Sequence, residues 1–134
     1  MSERGGDPVT VLTVDDQETF LRAARELIAA ADGFRQVGEA GSGIEALRIA
    51  ADTRPDLILL DVRMPGMDGL ETARRMEDAA PQATVILMSL EDPGPGTGLD
   101  ARAAGGPAHV RKQDLSIRTL KDLWRSHGRR PQRP

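Results

Sequence analysis

The 134-residue sequence contains no cysteine and no tyrosine, and its aromatic residues are limited to Phe20, Phe34 and Trp124. Without cysteine the chain can form neither a disulfide framework nor a thiolate metal site, which is compatible with a reducing cytoplasm. With so few aromatic residues, the core must be built from aliphatic side chains and alanine. No apolar run approaches the roughly 20 residues that a membrane helix needs.

Charge and length set further limits. A formal net charge of −3 and a pI near 5.4 give no general attraction to nucleic acid. The length fits one domain with a single core, which we place at residues 9–126. Residues 1–8 lack the apolar core of a signal peptide and are expected to be a disordered lead-in. Residues 127–134 form a basic tail without periodicity, which we also expect to be disordered.

One stretch dominates the pattern. Leu57 to Leu60 are four consecutive aliphatic residues that lead directly into Asp61, and a turn rich in proline and glycine follows. Such a run predicts a central strand buried on both faces, with Asp61 at its carboxyl end, where open α/β sheets bind ligands. An unpaired buried carboxylate is costly, so Asp61 is interpreted as functional, whereas Asp68 fits better as the cap of the next helix.

Strands and helices alternate along the chain. This alternation favours βαβ crossovers and predicts an α/β, flavodoxin-like (βα)5 fold, a doubly wound parallel sheet with strand order 2-1-3-4-5. The second strand is polar, which suggests a sheet edge. The other strands are predicted at Val9–Val14, Phe34–Ala40, Ala83–Met88 and Ala108–Val110, and the helices at Gln17–Ala31, Ile44–Asp52, Gly69–Ala79 and Leu115–Ser126.

Each helix has a predicted core face, and one connection does not suit a helix. Ser42 is a plausible N-cap, with Glu45 completing a capping box. Between the last two strands, glycine and proline leave only Leu99–Ala104 able to form one or two helical turns. The residues predicted to face the core are Phe20, Ala24, Leu27, Ile28 and Ala31, then Leu47 and Ala51, then Leu70, Ala73 and Met76, and finally Leu120, Leu123 and Trp124.

Polar residues follow four of the five predicted strands. In the order 2-1-3-4-5 these strands are neighbours, so the side chains converge on one edge of the sheet. Three carboxylates together repel one another and would be strained without a cation, and Mg²⁺ suits oxygen ligands. A lysine and a hydroxyl beside it are the groups that a phosphoryl group needs, with Asp61 as the nucleophile. The converging residues are Asp15, Asp16, Asp61, Ser89 and Lys112.

At these positions the chain resembles the receiver domain of two-component response regulators, over roughly residues 9 to 126. The matching motifs are Val14-Asp15-Asp16, the run from Leu57 to Asp61 with Met64-Pro65-Gly66-Met67-Asp68-Gly69, Ser89 after an aliphatic strand, and Lys112 after His109-Val110-Arg111.

The resemblance implies that a histidine kinase or phosphotransfer protein passes a phosphoryl group to Asp61. It implies Mg²⁺ bound by Asp16, Asp61 and the backbone carbonyl of Arg63, with Asp15 nearby. Ser89 and Lys112 would contact the phosphoryl group, and Ser89 and His109 would form the switch. The protein would then be a bacterial, cytoplasmic signalling switch and not an enzyme, apart from self-phosphorylation and self-dephosphorylation.

The sequence also departs from the family pattern. Gln113 replaces the proline that often follows the lysine, which is similar to receivers with helix-turn-helix outputs. We expect no output domain after the last predicted helix. In the family, the helix between the last two strands usually contributes to signalling and to pairing. We therefore expect the corresponding segment, Leu90 to Ala104, to become ordered on phosphorylation and to support a homodimer.

Two other readings remain open. The chain could be a phosphohydrolase that uses an aspartyl nucleophile, but enzymes with an Asp-x-Asp motif have a second acid at the position where this chain has Arg63. The chain could instead be the receiver fragment of a longer DNA-binding regulator. The four arginines near the end of this chain are not part of a recognition helix and would bind DNA only weakly and in a salt-sensitive way. We therefore expect no direct nucleic-acid binding by this chain. Those arginines are Arg125, Arg129, Arg130 and Arg133.

Overall fold

The computed structural model describes residues 7–90 and 108–128. Five parallel strands form one sheet with the order β2-β1-β3-β4-β5, which confirms the predicted flavodoxin-like topology. The strands are β1 Val9–Val14, β2 Phe34–Ala40, β3 Leu57–Asp61, β4 Thr84–Ser89 and β5 Ala108–Arg111. The helices are α1 Glu18–Ala30, α2 Gly43–Thr53, α3 Gly69–Ala79 and α4 Ile117–His127, with a short 3₁₀ turn at Lys112–Asp114.

The central strand β3 is buried on both faces, as its aliphatic run predicts. Successive side chains point to opposite faces, so Ile58 and Leu60 pack in one core cluster with residues of α2 and α3. Leu57 and Leu59 pack in a second cluster with residues of α1 and α4. The sheet is therefore covered by helices on both faces, and its carboxyl edge is left for a site.

The polar strand β2 lies at the sheet edge, as predicted. Its pairing with β1 shifts by one residue, because Val11 pairs with Gln36 and Leu12 pairs with Gly38. Val37 is thus the extra residue of a bulge, a feature that is common at sheet edges.

Helix α2 begins as predicted but presents a different row of residues to the core. The Ser42 hydroxyl accepts the Glu45 N–H at 3.2 Å, and the Glu45 carboxylate accepts the Gly41 N–H at 2.8 Å. The prediction that Ala51 faces the core is wrong, because Ala51 is exposed and Ala46 and Ala50 are fully buried.

Close packing against α3 explains this rotation of α2. Gly43 is buried, and a Cβ at that position would overlap the Thr72 hydroxyl oxygen. Gly43 therefore has to face α3, and the row that continues from it along the helix passes through Ala46 and Ala50. Leu47, which was also predicted to face the core, is partly buried against it.

The other helices bury most of the predicted residues. Ala24, Ile28, Ala31, Ala73, Met76 and Leu120 are buried, and Phe20, Leu27, Leu70, Leu123 and Trp124 pack against the core from partly buried positions. None of the helices in the two ranges that the structure describes has the length and apolar character needed to span a membrane. The predicted helical turns at Leu99–Ala104, residues 1–6 and most of the basic tail lie outside the described residues.

Candidate functional site

The site lies where four neighbouring strands end. In the parallel register, Val14 of β1 pairs with Leu60 of β3, so Asp15 and Asp61 follow at the same level. On the other side of β3, Asp61 pairs with Met88 of β4, and Ser89 is the last residue of that strand. Lys112 directly follows β5. The structure therefore brings the predicted residues to one edge of the sheet.

Three carboxylates meet at this edge. Asp15 is fully buried, Asp61 is 4% exposed and Asp16 is exposed. Each of the three offers an oxygen atom, and these atoms all lie within 4.8 Å of one another. Backbone amides orient the two buried groups: the Gln17 N–H donates to Asp15 Oδ1 at 2.8 Å, and the Arg63 N–H donates to Asp61 Oδ1 at 3.1 Å.

Lys112 supplies the positive charge of the site. Its Nζ atom lies 2.6 Å from Asp15 Oδ2 and 3.4 Å from Asp61 Oδ2, and its side chain is 8% exposed. One ammonium group thus faces two buried carboxylates, with a third carboxylate at the rim. Since the negative charge exceeds the positive charge, and oxygen donors are the ligands that Mg²⁺ prefers, the residues present fit a bound divalent cation.

The electrostatics at Asp61 reflect this imbalance. Burial raises the pKa of the Asp61 carboxyl above its usual value, and the nearby Asp15 charge raises it further. The Arg63 N–H and the Lys112 ammonium lower the same pKa, but they do not compensate fully. The ionised form of Asp61 is therefore destabilised in the absence of a metal ion.

The turn after β3 fixes the backbone at Asp61. The Gly69 N–H donates to the Val62 carbonyl at 2.9 Å, which folds the start of α3 back onto the end of the strand. A Cβ at Gly69 would overlap the Asp61 carbonyl oxygen, so this close approach requires glycine. Asp68 caps α3 by accepting the Glu71 N–H at 2.9 Å, as its position in the turn predicts.

The two predicted switch residues contact each other. Ser89 Oγ lies 2.7 Å from His109 Nε2, which joins the end of β4 to β5 by a side-chain hydrogen bond. Ser89 is 9% exposed and His109 is partly buried. The hydroxyl that was predicted to contact a phosphoryl group is therefore directly coupled to the residue that was predicted to switch.

Sequence reasoning missed one member of the site. The Lys112 Nζ atom lies 5.0 Å from the centroid of the Phe20 ring. The helical spacing of Phe20 identified it only as a core residue, and it does pack against the core. Its separation from Lys112 in the sequence gives no signal of this contact. The only available clue was its position five residues after Asp15.

Comparison with known proteins decides the family. The family model of the response regulator receiver domain matches residues 11–121. The chain belongs to the response regulator receiver family. This finding agrees with the sheet order and with the acidic cluster at the carboxyl edge.

Individual relatives show the extent of the similarity. The response regulator GacA of Pseudomonas syringae pv. syringae is 40% identical over 99 residues, which are 72% of this chain and 46% of GacA. Protein-glutamate methylesterase/protein-glutamine glutaminase 4 of Myxococcus xanthus is 36% identical over 128 residues, which are 90% of this chain and 36% of that protein. The chain thus spans less than half the length of these curated relatives.

A solved receiver structure shows the same similarity in three dimensions. The signal receiver domain of the putative response regulator NarL from Mycobacterium tuberculosis superposes with a TM-score of 0.77 and 28% identity, covering 90% of this chain and 98% of that domain. Receiver domains are the signalling switches of two-component systems, act with histidine kinases and phosphotransfer proteins, and bind Mg²⁺ in an acidic pocket. This chain is such a receiver, and its aspartate cluster fits a phosphorylation site.

Proposed function

We propose that Asp61 accepts a phosphoryl group from a histidine kinase or phosphotransfer protein in a Mg²⁺-dependent reaction in the bacterial cytoplasm, and that the chain acts as a switch of protein contacts without further enzymatic activity. One observation carries the assignment. Asp61 is buried at the end of the central strand, 3.4 Å from the Lys112 ammonium, and its carboxylate lies within 4.8 Å of the oxygen atoms of Asp15 and Asp16.

The side chains fit transfer of a phosphoryl group. A carboxylate oxygen of Asp61 attacks the phosphorus of a phosphohistidine, so that a P–O bond forms, the P–N bond breaks and the imidazole leaves. Lys112 is close enough to Asp61 for its ammonium to bind the oxygens of a phosphoryl group on that residue. The Ser89 hydroxyl at the end of the neighbouring strand donates a hydrogen bond to the same oxygens.

The three carboxylates are suited to different roles in metal binding. Asp16 is the exposed member, whereas both oxygens of Asp15 already face donors, namely the Gln17 N–H and the Lys112 ammonium. We therefore assign Asp16, Asp61 and the Arg63 carbonyl as direct ligands of Mg²⁺ and place Asp15 beside them. When bound, Mg²⁺ neutralises the charge of the carboxylates and of the incoming phosphoryl group.

The Ser89–His109 contact gives the signal a first step away from the site. A serine hydroxyl has one proton, so a Ser89 hydroxyl that donates to a phosphoryl oxygen can only accept a hydrogen bond from His109. Phosphorylation thereby constrains the His109 side chain on β5. We assign Ser89 and His109 as the switch pair for this reason.

Incubation with a small acyl phosphate tests the assignment of Asp61. With Mg²⁺ present, the intact mass should increase by one phosphoryl group, and both a chelator and Asp61→Asn should abolish the increase. Asp68→Asn is a matched control, because it removes a nearby exposed carboxylate while asparagine can still cap α3. Labelling that persists in Asp61→Asn would refute the proposed acceptor.

A further inference from the structure

The Lys112 ammonium has an aromatic partner besides its two carboxylates. It lies 2.6 Å from Asp15 Oδ2, 3.4 Å from Asp61 Oδ2 and 5.0 Å from the centroid of the Phe20 ring. A cation within about 6 Å of a ring centroid is attracted by the ring quadrupole, most strongly where water is excluded. The Lys112 side chain is 8% exposed, so this contact is largely desolvated.

Local structure fixes the ring relative to Asp15. The Gln17 N–H donates to Asp15 Oδ1, and the Gln17 carbonyl accepts the Phe20 N–H at 3.1 Å as α1 begins. The end of β1 and the first turn of α1 therefore present a carboxylate and an aromatic ring to the same ammonium group. Lys112 reaches both from the end of β5, more than 90 residues later.

The three contacts respond differently to the proposed reaction. A Mg²⁺ ion held by Asp61 would compensate part of its charge, and phosphorylation would convert the Asp61 carboxylate into a neutral acyl group that carries the phosphate. The Asp61 partner of Lys112 therefore changes during the cycle, whereas Asp15 remains a carboxylate beside the ammonium. The Phe20 ring is neutral and neither binds metal nor accepts a phosphoryl group, so its attraction for the ammonium persists.

We propose that Phe20 is a positioning residue for Lys112, which holds the ammonium over its ring while the Asp61 carboxylate partner is converted into a phosphorylated group. This inference rests on the proposed function of Lys112. It makes the aromatic character of position 20 a determinant of phosphoryl binding, separate from its contribution to the core.

The test separates the effect of the aromatic ring from the effect of the side chain's apolar volume. Phe20→Leu keeps an apolar side chain in the core but removes the quadrupole, and Phe20→Trp restores it. Phe34→Leu is a matched control, because Phe34 packs partly buried against the same core cluster and is the only other phenylalanine of the chain. Affinity for beryllofluoride with Mg²⁺, a mimic of the phosphoryl group, is measured for the full chain of each variant.

Because the contact also exists before the ligand binds, only its strengthening on binding affects the affinity, so Phe20→Leu should weaken beryllofluoride binding by at most roughly thirtyfold, the factor that corresponds to a fully desolvated cation–π contact. Phe20→Trp should recover most of this loss, and Phe34→Leu should bind like the parent. Equal weakening in Phe20→Leu and Phe34→Leu would overturn the proposal in favour of a general packing effect. Unchanged affinity in Phe20→Leu would overturn it as well.

Nuclear magnetic resonance of the metal-free chain gives a readout that does not depend on the reaction. The Cε protons of Lys112 should show a ring-current shift that disappears in Phe20→Leu and persists in Phe34→Leu. If the parent lacks the shift, the proposed contact is wrong. If the shift is present but the unsubstituted chain neither binds beryllofluoride nor is phosphorylated, the proposed function is wrong. The role of Phe20 in phosphoryl binding is then wrong as well, although the contact itself exists.

Discussion

At the scale of single residues, the site is built from charges that the fold does not balance by itself. Asp15 and Asp61 are buried against one lysine, while most of the surrounding core is aliphatic. Burial of a charge is costly unless it is fully paired, and the raised pKa of Asp61 shows that the cost exceeds the compensation. The folded state therefore contains a carboxylate whose charge it does not fully compensate.

Asp61→Asn should therefore stabilise the metal-free domain. Asparagine keeps an oxygen that can accept the Arg63 N–H, and the Lys112–Asp15 ion pair remains. Because the folded-state pKa of Asp61 is raised, the unfavourable contribution is fully present above that pKa and disappears as the pH falls below the unfolded-state value. The gain in unfolding free energy should thus be present at pH 7 and diminish towards pH 4.

Thermal unfolding in chelator at several pH values measures this effect. A gain on the order of 1 kcal/mol would raise Tm by roughly 4 °C in a domain of this size. Asp68→Asn, with its exposed carboxylate, should change Tm little at any pH. A lower Tm for Asp61→Asn at pH 7 would show that the Lys112 attraction outweighs burial.

At the scale of elements, the position of Asp61 depends on the connection between β3 and α3. The first residue of α3, Gly69, packs so closely on the Asp61 carbonyl that a methyl group cannot be accommodated without movement. The constraint concerns the backbone, which cannot adjust as a flexible side chain would. The strand end and the helix start therefore behave as one unit that aims the Asp61 side chain.

Gly69→Ala should displace Asp61 and impair both folding and phosphorylation. Overpacking of this kind costs about 1–3 kcal/mol, so the urea midpoint should fall and acyl-phosphate labelling should slow. Gly41→Ala is the matched control, because a Cβ at Gly41 would meet its nearest atom, Glu45 Oε1, at an ordinary 3.8 Å. Labelling of Gly69→Ala at the parental rate would show that the turn can relax without moving the carboxylate.

The elements themselves could be predicted because their patterns are local. The aliphatic run before Asp61 specified a buried strand, and the Ser42–Glu45 pair marked the start of α2. The core face of α2 could not be predicted, since it is set by the approach of Gly43 to Thr72 on another helix. That contact depends on tertiary packing, which helical periodicity in one segment does not contain.

The same distinction applies to the site. The acids, the serine and the lysine could be predicted together because each ends or follows a strand, and parallel strands place their ends at one edge. The Phe20–Lys112 contact and the Ser89–His109 hydrogen bond depend on side-chain positions instead. Strand order alone brings such residues near each other without specifying which atoms meet.

At the scale of the whole molecule, the site connects elements that are distant in sequence. Asp15 and Asp16 follow β1, Asp61 ends β3 and Lys112 follows β5. A ligand bound among these residues therefore contacts the first, third and fifth strands at once. A ligand of this kind binds only the folded state, because the unfolded chain does not assemble the cluster. Ligand binding and global stability are therefore linked.

Mg²⁺ should stabilise the whole domain by an amount that its affinity fixes. At a free concentration 100 times Kd, the unfolding free energy should rise by about 2.7 kcal/mol, measured as a shift of the urea midpoint between Mg²⁺ and chelator. Asp16→Ala should nearly abolish the shift, since Asp16 is exposed and available to the ion, whereas Asp15→Ala should reduce it less because Asp15 already faces Lys112. Comparing each variant with and without Mg²⁺ removes the direct effect of the substitution on stability. A larger loss in Asp15→Ala would exchange the roles of the two acids, and the absence of a shift in the parent chain would refute a Mg²⁺ site at this edge.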